Sequence, residues 1–98
     1  MVNEGYRLVI RKHVFDKCRA LDITWTEVEE LLGSSEVVEE EEDEDEVLRV
    51  KQVSILEGWR RPLHVVTMTD HERRIVIVVT IYEPHRHWWR PGFRQRRR

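Results

Sequence analysis

The chain has 98 residues, enough for one domain with a lean core. It holds no run of 18 apolar residues, which excludes a membrane-spanning helix, and its single cysteine, Cys18, excludes an internal disulfide. The net charge of -2 conceals a separation: residues 36–46, EVVEEEEDEDE, hold nine of the nineteen acids and no base, so the remainder sets seventeen Lys and Arg against ten acids. A basic body suits a polyanion partner, whereas the acidic run on its own fits a solvated loop. The opening MVNEGYRLVIRKH lacks the apolar region of a signal peptide, and nothing in the sequence directs the chain to an oxidising compartment, so a cytoplasmic location is expected.

In chain order, residues 6–10 (YRLVI) read as a short strand. Residues 11–21 have helical spacing, with Val14, Cys18 and Leu21 on one face. Thr24 and Glu27 fit a capping box, Ile23 and Val28 a hydrophobic staple, and Gly33 a C-terminal cap, which predicts a second helix over residues 25–32. After Gly33 the period changes to two. Residues 34–40 can begin a strand, and EEDEDE (41–46) reads as a charged turn. Strands are expected at 47–56, 61–69 and 74–82, with turns at EGW (57–59) and DHER (70–73). The order predicts an α+β fold, two N-terminal helices packed on a three- to four-stranded antiparallel sheet. Residues 1–85 form this single domain. Residues 86–98 form a basic, aromatic tail expected to fray at QRRR.

The stretch RRPLHVV (60–66) places arginines and a histidine on a strand that must also supply core. A tight DHER hairpin would set Thr69 opposite Arg74, Arg61 opposite Tyr82 and Leu63 opposite Thr80. Opposed residues share a face at about 5 Å between Cβ atoms, so Arg61, Thr80 and Tyr82 would converge at one sheet end. His64 would oppose Val79, on the face of Ile75, Ile77 and Ile81 that the helices cover. His64 is then either a hydrogen-bonded core residue or, meeting His13 from the first helix, part of a site.

RPLHVV, a hairpin into VVTIYEP, a tail of Trp and Arg, and the early histidine of RKHVFDKCRAL followed by ITWTEVEELL together resemble a family of small, uncharacterised bacterial and archaeal domains. These are grouped with RelE-like and MqsR-like toxins in the barnase–EndoU–colicin–RelE ribonuclease fold. The resemblance spans residues 6–94 and its polar pattern falls on His13, Arg61, His64, Thr80 and Tyr82. It implies a RelE-like sheet, a toxin-like activity on RNA, and a small zinc-finger partner similar to an MqsA-type antitoxin. The acidic run at 36–46 departs from what an RNA binder would carry.

The implied chemistry is metal-independent RNA cleavage, in which the 2′-hydroxyl attacks the adjacent phosphorus and leaves a cyclic phosphate. It requires a base, an acid and cations on the phosphorane. Arg61 would stabilise the phosphate, His13 or His64 would move protons, Tyr82 would orient or protonate, and Thr80 would hydrogen-bond. Arg49 and Lys51, on one strand face, would hold the backbone. Trp88, Trp89 and Phe93 alternate with arginines, Arg90 and Arg94 among them, as a single-strand stacking surface does, although packing of the aromatics back on the sheet is the favoured alternative. The alternative is a non-catalytic module that binds RNA or a protein, with the acidic segment engaging a basic partner or the chain's own tail. No cofactor is expected. No CxxC or HExxH motif occurs, so no metal site is expected. Exposed strand edges would allow self-pairing into a homodimer.

Overall fold

The computed structural model describes residues 5–42 and 49–97. Its elements are β1 (Arg7–Ile10), α1 (Lys12–Ala20), α2 (Trp25–Leu32), β2 (Glu36–Glu42), β3 (Arg49–Leu56), β4 (Leu63–Asp70) and β5 (Ile75–Tyr82). The strands form one sheet in the order β1-β5-β4-β3-β2. The β1–β5 pair is parallel and the other three pairs are antiparallel.

The expected RelE-like sheet of three to four antiparallel strands behind two N-terminal helices is therefore corrected. The sheet is mixed and has five strands, and the helices lie between β1 and β2 in the chain. The physical reason is that alternation identifies a strand from its own residues and says nothing of its neighbour. Leu8 and Ile10 of β1 need an apolar partner, and they stand opposite Val76 and Val78 of β5. The acidic β2 takes the opposite edge, where its charges discourage further strand pairing. Of the expected charged turn, Glu41 and Glu42 belong to β2. Residues 43–48, including the expected strand start at Val47 and Leu48, lie outside the described residues.

Both helices form where the periodicity places them. In α2 the capping box closes: the Glu27 N–H donates to Thr24 Oγ1 at 3.2 Å, and the Thr24 N–H donates to Glu27 Oε1 at 3.2 Å. Gly33 ends the helix with an ordinary right-handed φ of -60°, so glycine's freedom is not used there. The two helices take the chain across one face of the sheet, α1 packing on β5 and α2 on β3. Val14, Cys18, Ile23, Val28 and Leu32 meet Leu56, Leu63, Val65, Val78 and Ile81 in one core. Cys18 is buried there, and burial pushes its thiol pKa up, away from reactivity. Ser54 is enclosed on the same face, opposite Val65, and its hydroxyl has no hydrogen-bond partner among the described residues. Such a group costs about 1–3 kcal/mol. Among the described residues no helix is long and apolar enough to cross a membrane.

The β4–β5 register differs from the tight hairpin expected. Thr69 lies opposite Val76 rather than Arg74, and His64 lies opposite Tyr82 rather than Val79. Two features shift it. First, Asp70 remains in β4 and caps the turn, accepting the N–H groups of Glu72 (3.0 Å) and Arg73 (3.1 Å), while Arg74 takes the left-handed φ of 55°. Second, a bulge at Val79 breaks the register between Val66 and Thr67. The bulge turns Ile81 towards the helices, opposite Val65, and leaves Tyr82 beside His64 on the far face.

Candidate functional site

Strand alternation puts Leu63 and Val65 of β4 in the helix-covered core and sends His64 and Val66 to the other side of the sheet. His64 is fully buried there, by the end of the chain rather than by a helix. Its Nε2 lies 2.8 Å from the Phe93 carbonyl oxygen and its Nδ1 lies 3.2 Å from the Tyr82 hydroxyl. A carbonyl only accepts, so Nε2 carries the proton and Nδ1 accepts from the phenol. The Trp89 ring meets the imidazole edge-to-face at 4.4 Å. Burial lowers the His64 pKa, opposed by the Phe93 carbonyl and the Glu39 charge. Burial likewise raises that of Tyr82, opposed by Arg96.

Residues 86–97, read from the sequence as a tail, thus fold back onto the sheet. Trp89 is buried and bridges antiparallel to Arg96, whose guanidinium lies 4.6 Å from the centre of the indole ring. Backbone bonds from Arg97 N–H to the Trp88 carbonyl and from Arg90 N–H to the Gln95 carbonyl close the ribbon, so residues 95–97 are held where fraying was expected. Arg96 Nε donates to Glu39 at 2.6 Å and Arg94 Nε to Glu36 at 2.6 Å. Arg94 also pairs with Glu57. These carboxylates hold both guanidinium pKa values above their ordinary range. The first acidic residues of β2 therefore meet the chain's own tail.

The tail covers only one end of this face. Ile55 and His64, opposite each other on β3 and β4, are enclosed, whereas Lys51, Met68 and Ile77 towards the β4–β5 turn are not. A trough results from three hollows of about 610, 630 and 500 Å3 that share lining residues. The first lies among Arg90, Arg94, Arg96 and Arg97 of the tail. The middle one holds Glu39, Lys51, Val53, Val66, Tyr82 and Arg96. The last has an apolar floor of Met68, Ile75, Ile77 and Val79 beneath Arg11, Arg49, Lys51 and Arg73. Eight cations and four acids line the whole. Two of the acids are already engaged: Glu39 by Arg96, and the buried Asp70 by Arg73 at 2.7 Å and Arg49 at 3.6 Å. The Arg73 contact holds the Asp70 carboxyl below its ordinary pKa. Arg11, Lys51 and Arg90 make no ion pair among the described residues, and the cationic excess faces solvent.

The residues singled out from the sequence fall into separate places. His64 and Tyr82 meet each other, and both of the histidine's ring nitrogens are occupied. Arg61 lies ahead of β4, paired with Glu83 at 2.8 Å and set over the Trp59 ring, and it lines none of the three hollows. Thr80 accepts from Lys17 Nζ at 2.8 Å. His13 is exposed in the first turn of α1. Arg49, Lys51, Arg90 and Arg94 border the trough; Trp89 is core and Trp88 is exposed. Among the described residues no group of His, Cys, Asp and Glu could hold a metal ion. Sequence reading missed Glu39, Arg96, Arg11 and Arg73. Only the pairing of an acidic strand with a basic tail, weighed as one alternative, could have indicated the first two. No family model matches the chain, and no curated protein or solved structure shows a significant likeness to it.

His64 makes stability depend on pH with a definite sign. Its folded-state pKa lies below the ordinary 6.5, so below that value the unfolded chain binds a proton that the folded chain refuses. The stabilisation is complete above the ordinary value and is lost as pH falls towards the lowered one. Loss from Asp70 sets in only below its ordinary 3.8. Urea midpoints should be level from pH 8 to 7 and fall between pH 7 and 5, and His64→Gln should flatten that window. An unchanged wild-type midpoint at pH 5 would contradict the burial of a neutral imidazole.

Proposed function

We propose that this protein binds single-stranded RNA along the trough, as a module that grips the phosphate backbone. One observation carries the reading: the sheet face that the helices leave open is bordered by eight cationic side chains, with Arg11, Lys51 and Arg90 unpaired among the described residues. An apolar floor between basic rims suits a chain that turns phosphates outwards and lays bases inwards. Glu39 and Asp70 are paired within the fold with Arg96, Arg73 and Arg49, and Arg94 with Glu36 and Glu57, so the field left to a ligand sets Arg11, Lys51, Arg90 and Arg97 against Glu40 and Glu41 and stays cationic. Affinity of this kind is electrostatic, so it falls with salt, by about 0.7 in the log–log slope for each phosphate contact to a single strand.

A second reading, toxin-like metal-independent cleavage, is favoured by the middle hollow. There two carboxylates (Glu40 and Glu41), a phenol (Tyr82) and two cations (Lys51 and Arg96) line one space. A base, a proton donor and charge on the phosphorane are what attack by a 2′-hydroxyl requires. His64 is ill placed for proton transfer while the tail is seated. Its ring is enclosed and both nitrogens are bonded.

Two assays separate the readings. By fluorescence anisotropy, Arg11→Ala combined with Lys51→Ala should weaken binding of a labelled single-stranded RNA at low salt by about tenfold or more and make the salt slope shallower. Equal affinity and slope would rule out the trough. With the same RNA in excess EDTA, cleavage predicts cyclic-phosphate ends that fall about a hundredfold in Tyr82→Phe. Intact RNA in the wild-type lane leaves the protein a binder and removes the second reading.

A further inference from the structure

The ribbon that closes the tail has two faces, and only one of them is used. Trp89 and Arg96 bridge across it and point inwards, the indole buried against His64. Alternation sends their neighbours Trp88 and Arg97 outwards, and the Arg97 N–H donates to the Trp88 carbonyl at 2.9 Å, so the two stand opposite each other. Trp88 is 63% exposed, the most exposed large hydrophobic side chain among the described residues. Its backbone N–H donates to the His85 carbonyl at 2.9 Å, and its ring packs perpendicular to the His87 ring, 4.7 Å between centres at 89°. The His87 backbone N–H in turn donates to His85 Nδ1 at 3.0 Å. Arg86 and Arg90 lie two residues to either side of Trp88 and Arg97 lies opposite it on the ribbon, all three exposed and none with a carboxylate partner among the described residues.

We propose that Trp88 is a stacking platform for one unpaired nucleobase, with Arg97 and Arg90 taking the adjoining phosphates. The proposal rests on the reading of the trough as an RNA site and extends it past the tail arginines. A pre-positioned aromatic face loses little entropy on stacking, and every base offers a π-face, so the platform is indifferent to sequence. The surrounding charge selects an anionic occupant over a neutral aromatic one. Trp89 cannot serve, because its ring is enclosed between His64 and Arg96.

The test compares wild type, Trp88→Ala and Trp88→Tyr against three probes: a short labelled single-stranded RNA, inorganic polyphosphate, and vesicles of phosphatidylserine and phosphatidylcholine. Trp88 is a surface residue, so the variants should fold. Trp88→Ala is expected to weaken RNA binding about five- to 150-fold, the effect of losing one stacked base. Trp88→Tyr should recover most of it, and polyphosphate, which has no base, should bind all three proteins equally. Unchanged RNA affinity in Trp88→Ala, with wild type binding well, would overturn the platform and leave the trough intact. An equal loss with polyphosphate would make the effect one of charge or structure and overturn it too. So would a loss confined to vesicles, which would assign Trp88 to a lipid surface. A wild-type protein that ignores RNA at low salt would overturn the trough reading and the platform with it.

Discussion

The arrangement turns on a buried histidine. Alternation along β4 forces His64 to the side of the sheet that the helices do not reach, and a polar ring cannot be enclosed there without partners for both nitrogens. The chain supplies them from Tyr82 and from the Phe93 carbonyl, and the second of these exists only if residues 84–97 fold back. Once they do, Trp89 is placed against the imidazole, one end of the sheet face is closed, and the other end is left as an open trough. The position of one side chain in a strand thereby determines which surface is available to a ligand.

The tail is held mainly by burial and aligned by charge. Enclosing an indole removes about 150–250 Å2 from water, worth about 4–6 kcal/mol as an upper bound. The pairs of Arg94 with Glu36 and Glu57, and of Arg96 with Glu39, are largely exposed, and exposed pairs add little stability because water and salt screen them. Their effect is on placement and on the field. They fix the ribbon over β2 and neutralise the nearest acids. Arg11 and Lys51, further along the face, stay unmatched among the described residues. An acidic edge strand and a basic open face can share one small domain because the acids nearest the tail are answered from within.

The local signals in the sequence were readable because their physics is local. Thr24 and Glu27 cap α2 through bonds three residues apart, and Val14, Cys18, Val28 and Leu32 reach the core from helical spacing alone. The sheet was less legible. The parallel docking of β1 on β5 brings together residues from opposite ends of the domain, and nothing in YRLVI encodes its partner. The hairpin register depended on Asp70 remaining in the strand and on the bulge at Val79, each of which moves every downstream pair. Errors of this size are decisive for a site: they separate Arg61 from Tyr82 and bring Tyr82 to His64. The trough needs residues from β2, β3, β4, β5 and the tail at once, so it became visible only when the strands were in order.

The most direct test of the open face is amide chemical-shift mapping during titration of a short single-stranded RNA into the labelled protein at low salt. The largest changes are expected along Lys51, Val53, Val66, Met68 and Ile77, continuing to Trp88 and Arg97, with α1 and α2 unmoved except near Arg11. Changes confined to the outer surfaces of the helices, or none at all, would contradict that expectation.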